Sequence, residues 1–326
     1  MARPNIVNVR NPATDISNPE LIPLIQEMDP RGGLAPFTAE EKRQAYRRAV
    51  SRSGPPEPVA EVSDRAVTGS AGEIPIRIYH PKLGEGRLPI VLYLHGGGFV
   101  SGDLDTHDPL CRQLANHVPA MVVAVDYRLA PEHCFPAAPD DCFSVLQWLA
   151  ASGDLIGGDG SRIAVVGDSA GGNLAAVLAL MARDRNASPL TAQVLIYPML
   201  DATLACESLV ENAFVPPFTL VDCVSAWQQY LPPDADRRNP HVSPLRATSL
   251  AGLPPALVIT AELDILASEG SAYVERLKEA GVDVEHEHFQ QTIHGFFQWG
   301  GVVSAARLAM NRVVQYLQRR LAPGTV

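Results

Sequence analysis

Basic charge is scarce in this chain of 326 residues. Lysine and arginine together number 26 against 36 aspartates and glutamates, which gives a formal net charge of −10. A nucleic-acid-binding protein needs a basic surface to neutralise phosphates, so this balance argues against a nucleic-acid partner. Internal repeats and low-complexity segments are also missing. The contents of hydrophobic residues (46%) and charged residues (19%) are ordinary for a globular protein.

Cysteine is sparse, and its pattern argues against two kinds of structural site. The five cysteines are an odd number and form no C-x-x-C pair; they stand at positions 111, 134, 142, 206 and 223. We therefore expect neither a disulfide framework nor a structural zinc site. Free thiols in a reducing compartment are the simple interpretation.

Long apolar segments are missing as well. The first eight residues lack the apolar stretch of a secretory leader, and the apolar run 174–182 is far too short to span a bilayer. We therefore expect a cytoplasmic protein without stable membrane insertion.

Strand and helix signals alternate after residue 58. Apolar runs such as 89–94 and 121–127 are nearly continuous, which is typical of strands buried on both faces. The alternation predicts an α/β fold with a mostly parallel sheet covered by helices. Strands are predicted at 59–67, 74–79, 89–94, 121–127, 163–166, 194–197, 256–260 and 282–289. Helices are predicted at 109–116, 140–150, 174–181, 221–230, 269–280 and 302–321.

Two segments depart from this alternation. Residues 1–52 are predicted to be helical, with a capping box formed by Thr38 and Glu41. The linker signal at 53–58 predicts that these helices lie apart from the core. Residues 201–245 form an insertion that is rich in turns and contains an apolar cluster.

We therefore divide the chain into N-terminal helices at 1–52, an α/β core at 53–200 and 246–326, and the insertion at 201–245. Within the apolar cluster of the insertion, we assign Phe214 and Phe218 to the substrate pocket, because a proline-rich insertion is well suited to cover a site.

The most informative stretch is Gly167-Asp168-Ser169-Ala170-Gly171, between a predicted strand and a helix of small residues. A G-x-S-x-G sequence in this strand–turn–helix setting is typical of a nucleophilic serine. The turn is so tight that its flanking residues must be small. Ser169 lies at a helix N-terminus, where unpaired N–H groups favour negative charge.

A nucleophilic serine needs a base and an acid, which follow it in the order acid, then histidine. The histidines after Ser169 are His241, His286, His288 and His294. His294 is the predicted base, because it lies in a loop beside a glycine. His286 and His288 lie inside a strand, which is a poor position for reaching a site beyond the strand ends.

The acid is expected just past the carboxyl end of a strand. Asp264 fits this position and is the predicted acid. Glu262, two residues earlier, is its rival, and Asp201 is a weaker one.

Donors for a developing oxyanion come from two places. One is the N–H of Ala170, directly after the serine; the other is the loop His95-Gly96-Gly97-Gly98, which follows a buried strand and matches the HGGG loop of lipases and esterases. This loop is not a phosphate loop, because no Lys-Ser/Thr follows it.

The stretch His286-Glu287-His288 suggests a metal site, but no third ligand is spaced nearby, and one face of an alternating strand is the better interpretation. We expect neither a metal nor a cofactor.

These motifs closely resemble the hormone-sensitive lipase-like carboxylesterases (bacterial family IV). The resemblance rests on five stretches and covers nearly the whole chain past residue 60: 95–98, 126–133, 167–172, 243–245 and 294–296. It implies an α/β-hydrolase fold with an eight-stranded sheet, and a helical cap built from 1–52 and 201–245. It also implies oxyanion donors at Gly97, Gly98 and Ala170, and hydrolysis of short- to medium-chain esters by Ser169, Asp264 and His294.

The resemblance is incomplete around the acid. The family has Asp-Pro-Leu-x-Asp, where this chain has Asp264-Ile265-Leu266-Ala267-Ser268. A non-catalytic receptor on the same fold is disfavoured by the presence of His294, whereas amide hydrolysis stays open. The expected partners are a small-molecule ester and, by analogy, a second copy of the chain at the edge strand 282–289.

Overall fold

Within the residues that the computed structural model describes (9–11, 15–28, 37–82, 86–187 and 190–323), eight strands form one sheet. Its order is β1-β2-β4-β3-β5-β6-β7-β8. The strands are β1 (Glu61–Gly69), β2 (Gly72–His80), β3 (Leu88–Leu94), β4 (Met121–Val125), β5 (Gly158–Asp168), β6 (Ala192–Ile196), β7 (Ala256–Leu263) and β8 (Val284–Ile293).

The sheet is mostly parallel, as predicted. β1 and β2 form an antiparallel hairpin, and β2 pairs with β4 in antiparallel orientation. All the other pairings are parallel, from β4–β3 through to β7–β8. The predicted eight-stranded α/β-hydrolase sheet is therefore confirmed, and β8 lies at one edge of it.

Helices cover both faces of the sheet. They are α1 (Ile22–Met28), α2 (Ala39–Ala49), α3 (Asp108–His117), α4 (Ala137–Ser152), α5 (Ala170–Asp184), α6 (Ser208–Glu211), α7 (Leu220–Tyr230), α8 (Ala267–Glu279) and α9 (Ser304–Arg320). β3 shows why the central strands are nearly continuous in apolar residues. Ile90, Leu92 and Leu94 pack into the core on one face, and Val91 and Tyr93 into the core on the other.

The predicted boundaries differ most around the serine. The strand predicted at 163–166 begins at Gly158 and ends at Asp168, and the helix predicted at 174–181 already begins at Ala170. A single residue therefore separates strand from helix. The run of small residues conceals this early helix start, because glycine has low helix propensity.

The N-terminal helices contact the core, so the prediction that they lie apart from it is wrong. The Arg43 side chain on α2 donates hydrogen bonds to the carbonyl oxygens of Val100 (2.9 Å) and Ala130 (3.2 Å), and both its Nη atoms bind Glu132. The capping box of Thr38 and Glu41 is present at the start of α2. Parts of the predicted helical region, 1–8, 12–14 and 29–36, lie outside the described residues.

The insertion at 201–245 contains α6 and α7, which confirms the predicted helix at 221–230. Tyr230 of α7 stacks on Phe99 of the core with ring centroids 3.8 Å apart. This contact seats the insertion beside the loop that follows β3. None of the helices in the described ranges combines the length and hydropathy needed to cross a bilayer.

Candidate active site

Ser169 occupies a strained turn between β5 and α5. Its backbone angles are φ 57° and ψ −118°, which L-residues rarely adopt. The flanking glycines permit the turn, because a Cβ on Gly167 would lie 2.1 Å from the carbonyl oxygen of Gly171, and a Cβ on Gly171 would lie 2.0 Å from that of Leu94. Local sterics therefore require the G-x-S-x-G pattern.

The serine lies within a chain of hydrogen-bonding contacts. Its Oγ is 2.8 Å from Nε2 of His294, and Nδ1 of that ring is 2.7 Å from Oδ2 of Asp264. All three residues are buried. The structure thus brings together the three residues predicted as nucleophile, base and acid, although they come from three separate loops.

Aromatic rings hold the His294 side chain on two sides. The Tyr197 ring centroid lies 4.7 Å from that of the imidazole, and the Phe218 ring stacks on the imidazole at 4.8 Å. Gly295, at φ 81°, lets the backbone turn away directly after the histidine. The ring is therefore oriented by packing as well as by Asp264.

The loop after Asp264 departs from the family pattern, and α6 of the insertion supports it. The Ser208 hydroxyl donates to the carbonyl oxygen of Ile265 (2.6 Å), and the backbone N–H of Ser208 donates to Oγ of Ser268 (3.1 Å). The Asn212 amide donates to the carbonyl oxygen of Asp264 (2.9 Å). These bonds hold the loop without the missing proline and second aspartate.

The rival acids and histidines have other partners. Glu262 accepts from the backbone N–H of Gln291 at 2.8 Å, and Asp201 forms an ion pair with Arg246 at 2.5 Å. His286 and His288 both lie 2.9 Å from the hydroxyl of Thr260. Their geometry gives none of these side chains a direct link to Ser169.

The glycine loop after β3 is shaped by close approaches that only glycine allows. Gly97 has φ 125°, and a Cβ there would lie 2.1 Å from the carbonyl oxygen of Ser101. Gly98 has φ 63° and faces the same cavity as Ser169. Among the described residues, neither the N–H of Gly97 nor that of Gly98 donates a hydrogen bond. Both remain available to a ligand, as does the N–H of Ala170 in the first turn of α5.

Asp168 links the serine turn to the glycine loop, and the sequence reasoning missed this role. Its Oδ1 accepts from the backbone N–H of Gly96 (3.0 Å) and from the Tyr93 hydroxyl (2.9 Å). Its Oδ2 accepts from the Gln298 amide at 2.8 Å, and Nε2 of His107 lies 3.5 Å from Oδ1. The one sequence feature that could have indicated this role is the position of Asp168 directly before the nucleophile in the G-x-S-x-G motif.

The charge on Asp168 is stabilised by these neighbours. Burial alone raises its pKa, but His107 and the hydrogen bonds from Gln298 and Tyr93 outweigh burial and hold the pKa at about 2. Burial, with a contribution from His107, also lowers the pKa of His95 to about 4. The loop is therefore anchored by an ionised carboxylate next to a neutral imidazole at pH 7.

A cavity of about 260 Å³ opens onto Ser169 and His294. Its walls come from α1, α2, the glycine loop, the insertion and the segment after His294, and they include Lys42, Tyr46, Phe218 and Asp222. Phe218, predicted for the pocket, lines this cavity. Phe214 does not belong to the described lining: its side chain is 45% exposed, because its neighbours Ala213 and Val215 take the buried positions of that turn.

Known proteins resemble this chain over most of its length. A family model described as the alpha/beta hydrolase fold matches residues 91–298. Esterase LipI of Mycobacterium tuberculosis is 46% identical over 262 residues, which cover 79% of this chain and 82% of that protein. Carboxylesterase NlhH of the same organism is 40% identical over 316 residues, covering 94% and 98%.

A solved structure shows the same architecture. The hyperthermophilic esterase from the archaeon Pyrobaculum calidifontis superimposes with a TM-score of 0.85 at 41% identity, over 94% of this chain and 99% of that one. The range matched by the family model, 91–298, includes Ser169, Asp264, His294 and the insertion at 201–245. The chain therefore belongs to the hormone-sensitive lipase-like carboxylesterases of the α/β-hydrolase superfamily and is a carboxylic ester hydrolase.

Proposed function

We propose that this protein hydrolyses short- to medium-chain carboxylic esters through an acyl-enzyme on Ser169. The observation that carries the proposal is the contact chain of 2.8 Å from Ser169 to His294 and 2.7 Å from His294 to Asp264. This geometry is that of a nucleophile, its general base and the group that orients the base.

The three residues divide the proposed reaction between them. Nε2 of His294 takes the Ser169 proton as Oγ attacks the ester carbonyl. Asp264 accepts from Nδ1–H, which selects the tautomer that can receive that proton, and it stabilises the imidazolium. His294 then protonates the leaving alcohol, and a water molecule releases the acid from Ser169 by the same steps.

The oxyanion is assigned to backbone donors. Gly97 and Gly98 line the cavity together with Ser169, and the N–H groups of Gly97, Gly98 and Ala170 have no acceptor among the described residues, so they are free to bind the oxygen that becomes negative. Donors of this kind act without reorganising during the reaction, because the folded loop already holds them in place.

Residues 1–52 and 201–245 are proposed to form a cap over this site. Both segments contribute to the cavity wall, α2 through Lys42 and Tyr46, and the insertion through Phe218 and Asp222. The cavity of about 260 Å³ lies just below the range of roughly 300–1,000 Å³ that is typical for drug-sized ligands, which supports small esters as substrates.

Substitution of the nucleophile tests the proposal. Ser169→Ala should reduce kcat on p-nitrophenyl butyrate by on the order of 10⁴ or more with the fold intact. The control variant Ser249→Ala, in a surface loop, should retain the parental kcat. A phosphonylating ester should label the parent chain once and the Ser169→Ala variant not at all. Parental turnover by Ser169→Ala, or labelling elsewhere, would refute the assignment.

We also infer a cytoplasmic homodimer that associates through β8. Among the described strands β8 pairs only with β7, so its outer edge presents unpaired backbone groups that a second copy can satisfy. Sedimentation analysis at micromolar concentration tests this, and a purely monomeric profile would count against it.

A further inference from the structure

Gln298 ends the short helical turn that follows the loop of the proposed base, His294. Its side-chain nitrogen, Nε2, donates to Oδ2 of Asp168 at 2.8 Å and lies 3.0 Å from Nε2 of His107. The residue is buried, and it also belongs to the wall of the catalytic cavity. One amide nitrogen therefore has two polar neighbours, both of which lie on other segments of the core.

The surroundings of His107 fix the direction of the second contact. The Thr106 hydroxyl donates to the carbonyl oxygen of Asp103 at 2.8 Å, so its oxygen can only accept from Nδ1 of His107, which lies 3.0 Å away. In the neutral imidazole the proton is then on Nδ1, and Nε2 is an acceptor. The Gln298 amide thus donates one N–H to His107 and the other to Asp168, and an amide turned the other way would present its oxygen to two acceptors.

The backbone of Gln298 is held independently of its side chain. Its N–H donates to the carbonyl oxygen of Gly295, directly after His294, at 3.1 Å. Its own carbonyl oxygen accepts from the Ser53 hydroxyl at 2.7 Å in a buried hydrogen bond. A change in the side chain therefore breaks the link to Asp168 without releasing the turn.

Asp168 continues this link to the glycine loop. It directly precedes Ser169, and its other carboxylate oxygen accepts from the backbone N–H of Gly96 at 3.0 Å. Gly97, a proposed oxyanion donor, is the next residue of that loop. The loop of the base and the loop of the donors therefore meet at one carboxylate, which Gln298 contacts from one segment and Gly96 from the other.

We propose that Gln298 is a positioning residue that sets the loop of His294 relative to the oxyanion donors by binding Asp168. This inference rests on the proposed ester hydrolysis at Ser169, and it adds a residue outside the catalytic three and the donors. Proton transfer and oxyanion stabilisation require placement to within a fraction of an ångström, whereas binding of the unreacted ester does not. Loss of the amide should therefore affect kcat rather than KM.

Replacing the amide by a thioether of similar length tests the link. Gln298→Met should lower kcat on p-nitrophenyl butyrate by about 10–100-fold and leave KM within about twofold of the parent. Gln315→Met, on the exposed side of α9, is the matched control and should keep both parameters. A kcat for Gln298→Met as high as that of the control would overturn the proposal.

A trifluoromethyl ketone separates positioning from a general loss of structure. Oγ of Ser169 adds to its carbonyl carbon, the hydroxyl proton passes to His294, and the carbonyl oxygen becomes an oxyanion on the backbone donors. Its affinity should fall in Gln298→Met by the same factor as kcat, because the adduct resembles the tetrahedral transition state. The corresponding methyl ketone, which binds without addition, should keep its affinity. Equal losses for the two ketones would refute positioning.

A double-mutant cycle tests whether Gln298 acts through Asp168. The combined variant Gln298→Met/Asp168→Asn should lose no more kcat than the more damaging of its two single changes, since both break one link. Losses that multiply would mean that Gln298 acts elsewhere, and the proposal would fall.

If Gln298→Met fails to fold, Gln298→Glu provides the second variant, because it keeps the shape and polarity of the side chain while an oxygen replaces the donating nitrogen. At pH 8.5 its kcat should fall by at least about 10-fold, since a carboxylate has no proton to donate and is repelled by Asp168. A kcat equal to that of Gln315→Glu would contradict the proposal. Failure of ester hydrolysis itself would appear separately, as parental p-nitrophenyl butyrate turnover by Ser169→Ala.

Discussion

Oδ1 of Asp168 accepts a hydrogen bond from the backbone N–H of Gly96 at 3.0 Å. This contact joins the residue before the proposed nucleophile to the loop that carries the proposed oxyanion donors. The position of a donor relative to Ser169 therefore depends on one buried carboxylate. Since catalysis by preorganised donors requires placement to within a fraction of an ångström, Asp168 acts as a positioning residue.

Replacing Asp168 by asparagine should lower kcat on p-nitrophenyl butyrate by about 10²-fold with little change in KM. The amide nitrogen would face either Gly96 N–H or the Gln298 amide, so one buried donor would lose its acceptor. Asp234→Asn, at an exposed turn, is the matched control. Equal kcat for the two variants would contradict a positioning role.

Acid should destabilise the protein partly through Asp168. Its folded pKa of about 2 is depressed below the ordinary value of 3.8, so its contribution is fully present above pH 3.8 and is lost as pH falls towards 2. The contribution amounts to about 2 kcal/mol. Urea unfolding at pH 6 and pH 2.5 should show a smaller loss of stability for Asp168→Asn than for the parent chain. An identical loss would show that Asp168 is not linked to acid unfolding.

Asp264→Asn should reduce kcat by on the order of 10³–10⁴, because an amide favours the wrong tautomer of His294. Glu262→Gln removes the rival carboxylate, whose partners are the backbone N–H of Gln291 and Arg10. That variant should keep kcat within about threefold of the parent, because substitutions away from the reacting groups have small effects. Steady-state kinetics on one ester decides between the two acids, and a larger loss in Glu262→Gln would reverse the assignment.

Gly97→Ala should lower kcat by about 10²–10³-fold, as expected when an oxyanion donor is displaced. Its Cβ would lie 2.1 Å from the carbonyl oxygen of Ser101. Gly281→Ala is the control, because Gly281 also has a positive φ, of 73°, but no neighbour within 4 Å of the added Cβ. It should cost about 1 kcal/mol of stability and leave kcat unchanged. Thermal unfolding and kinetics on both variants separate strain from catalysis.

Phe218→Ala should lower kcat/KM on butyrate esters by about 10-fold, because the stacked ring that orients His294 is lost. Phe214→Ala removes a ring of the same size from the exposed side of the same turn. Its kcat/KM should stay within twofold of the parent. Similar losses in both variants would mean that the whole insertion, rather than one ring, shapes the pocket.

Local requirements explain how much could be predicted from the sequence. The turn at Ser169 admits only small neighbours, and the glycine loop admits no Cβ at Gly97, so steric demands appear directly as motifs. Apolar periodicity likewise predicted every strand of the sheet to within a few residues at most boundaries. The start of α5 was predicted too late, because the glycines in its first turn have low helix propensity.

The sequence by itself determined the order of Ser169, Asp264 and His294, the sheet that carries them and the class of chemistry, since these depend on residue type and chain neighbours. Only the tertiary structure decided that Phe218 and not Phe214 reaches His294, that Ser208 and Asn212 hold the loop after Asp264, and that Lys42 and Asp222 line one cavity. These relationships join segments far apart in the chain. Which of them form is decided by how α2 and the insertion pack on the core, and no local pattern encodes that packing.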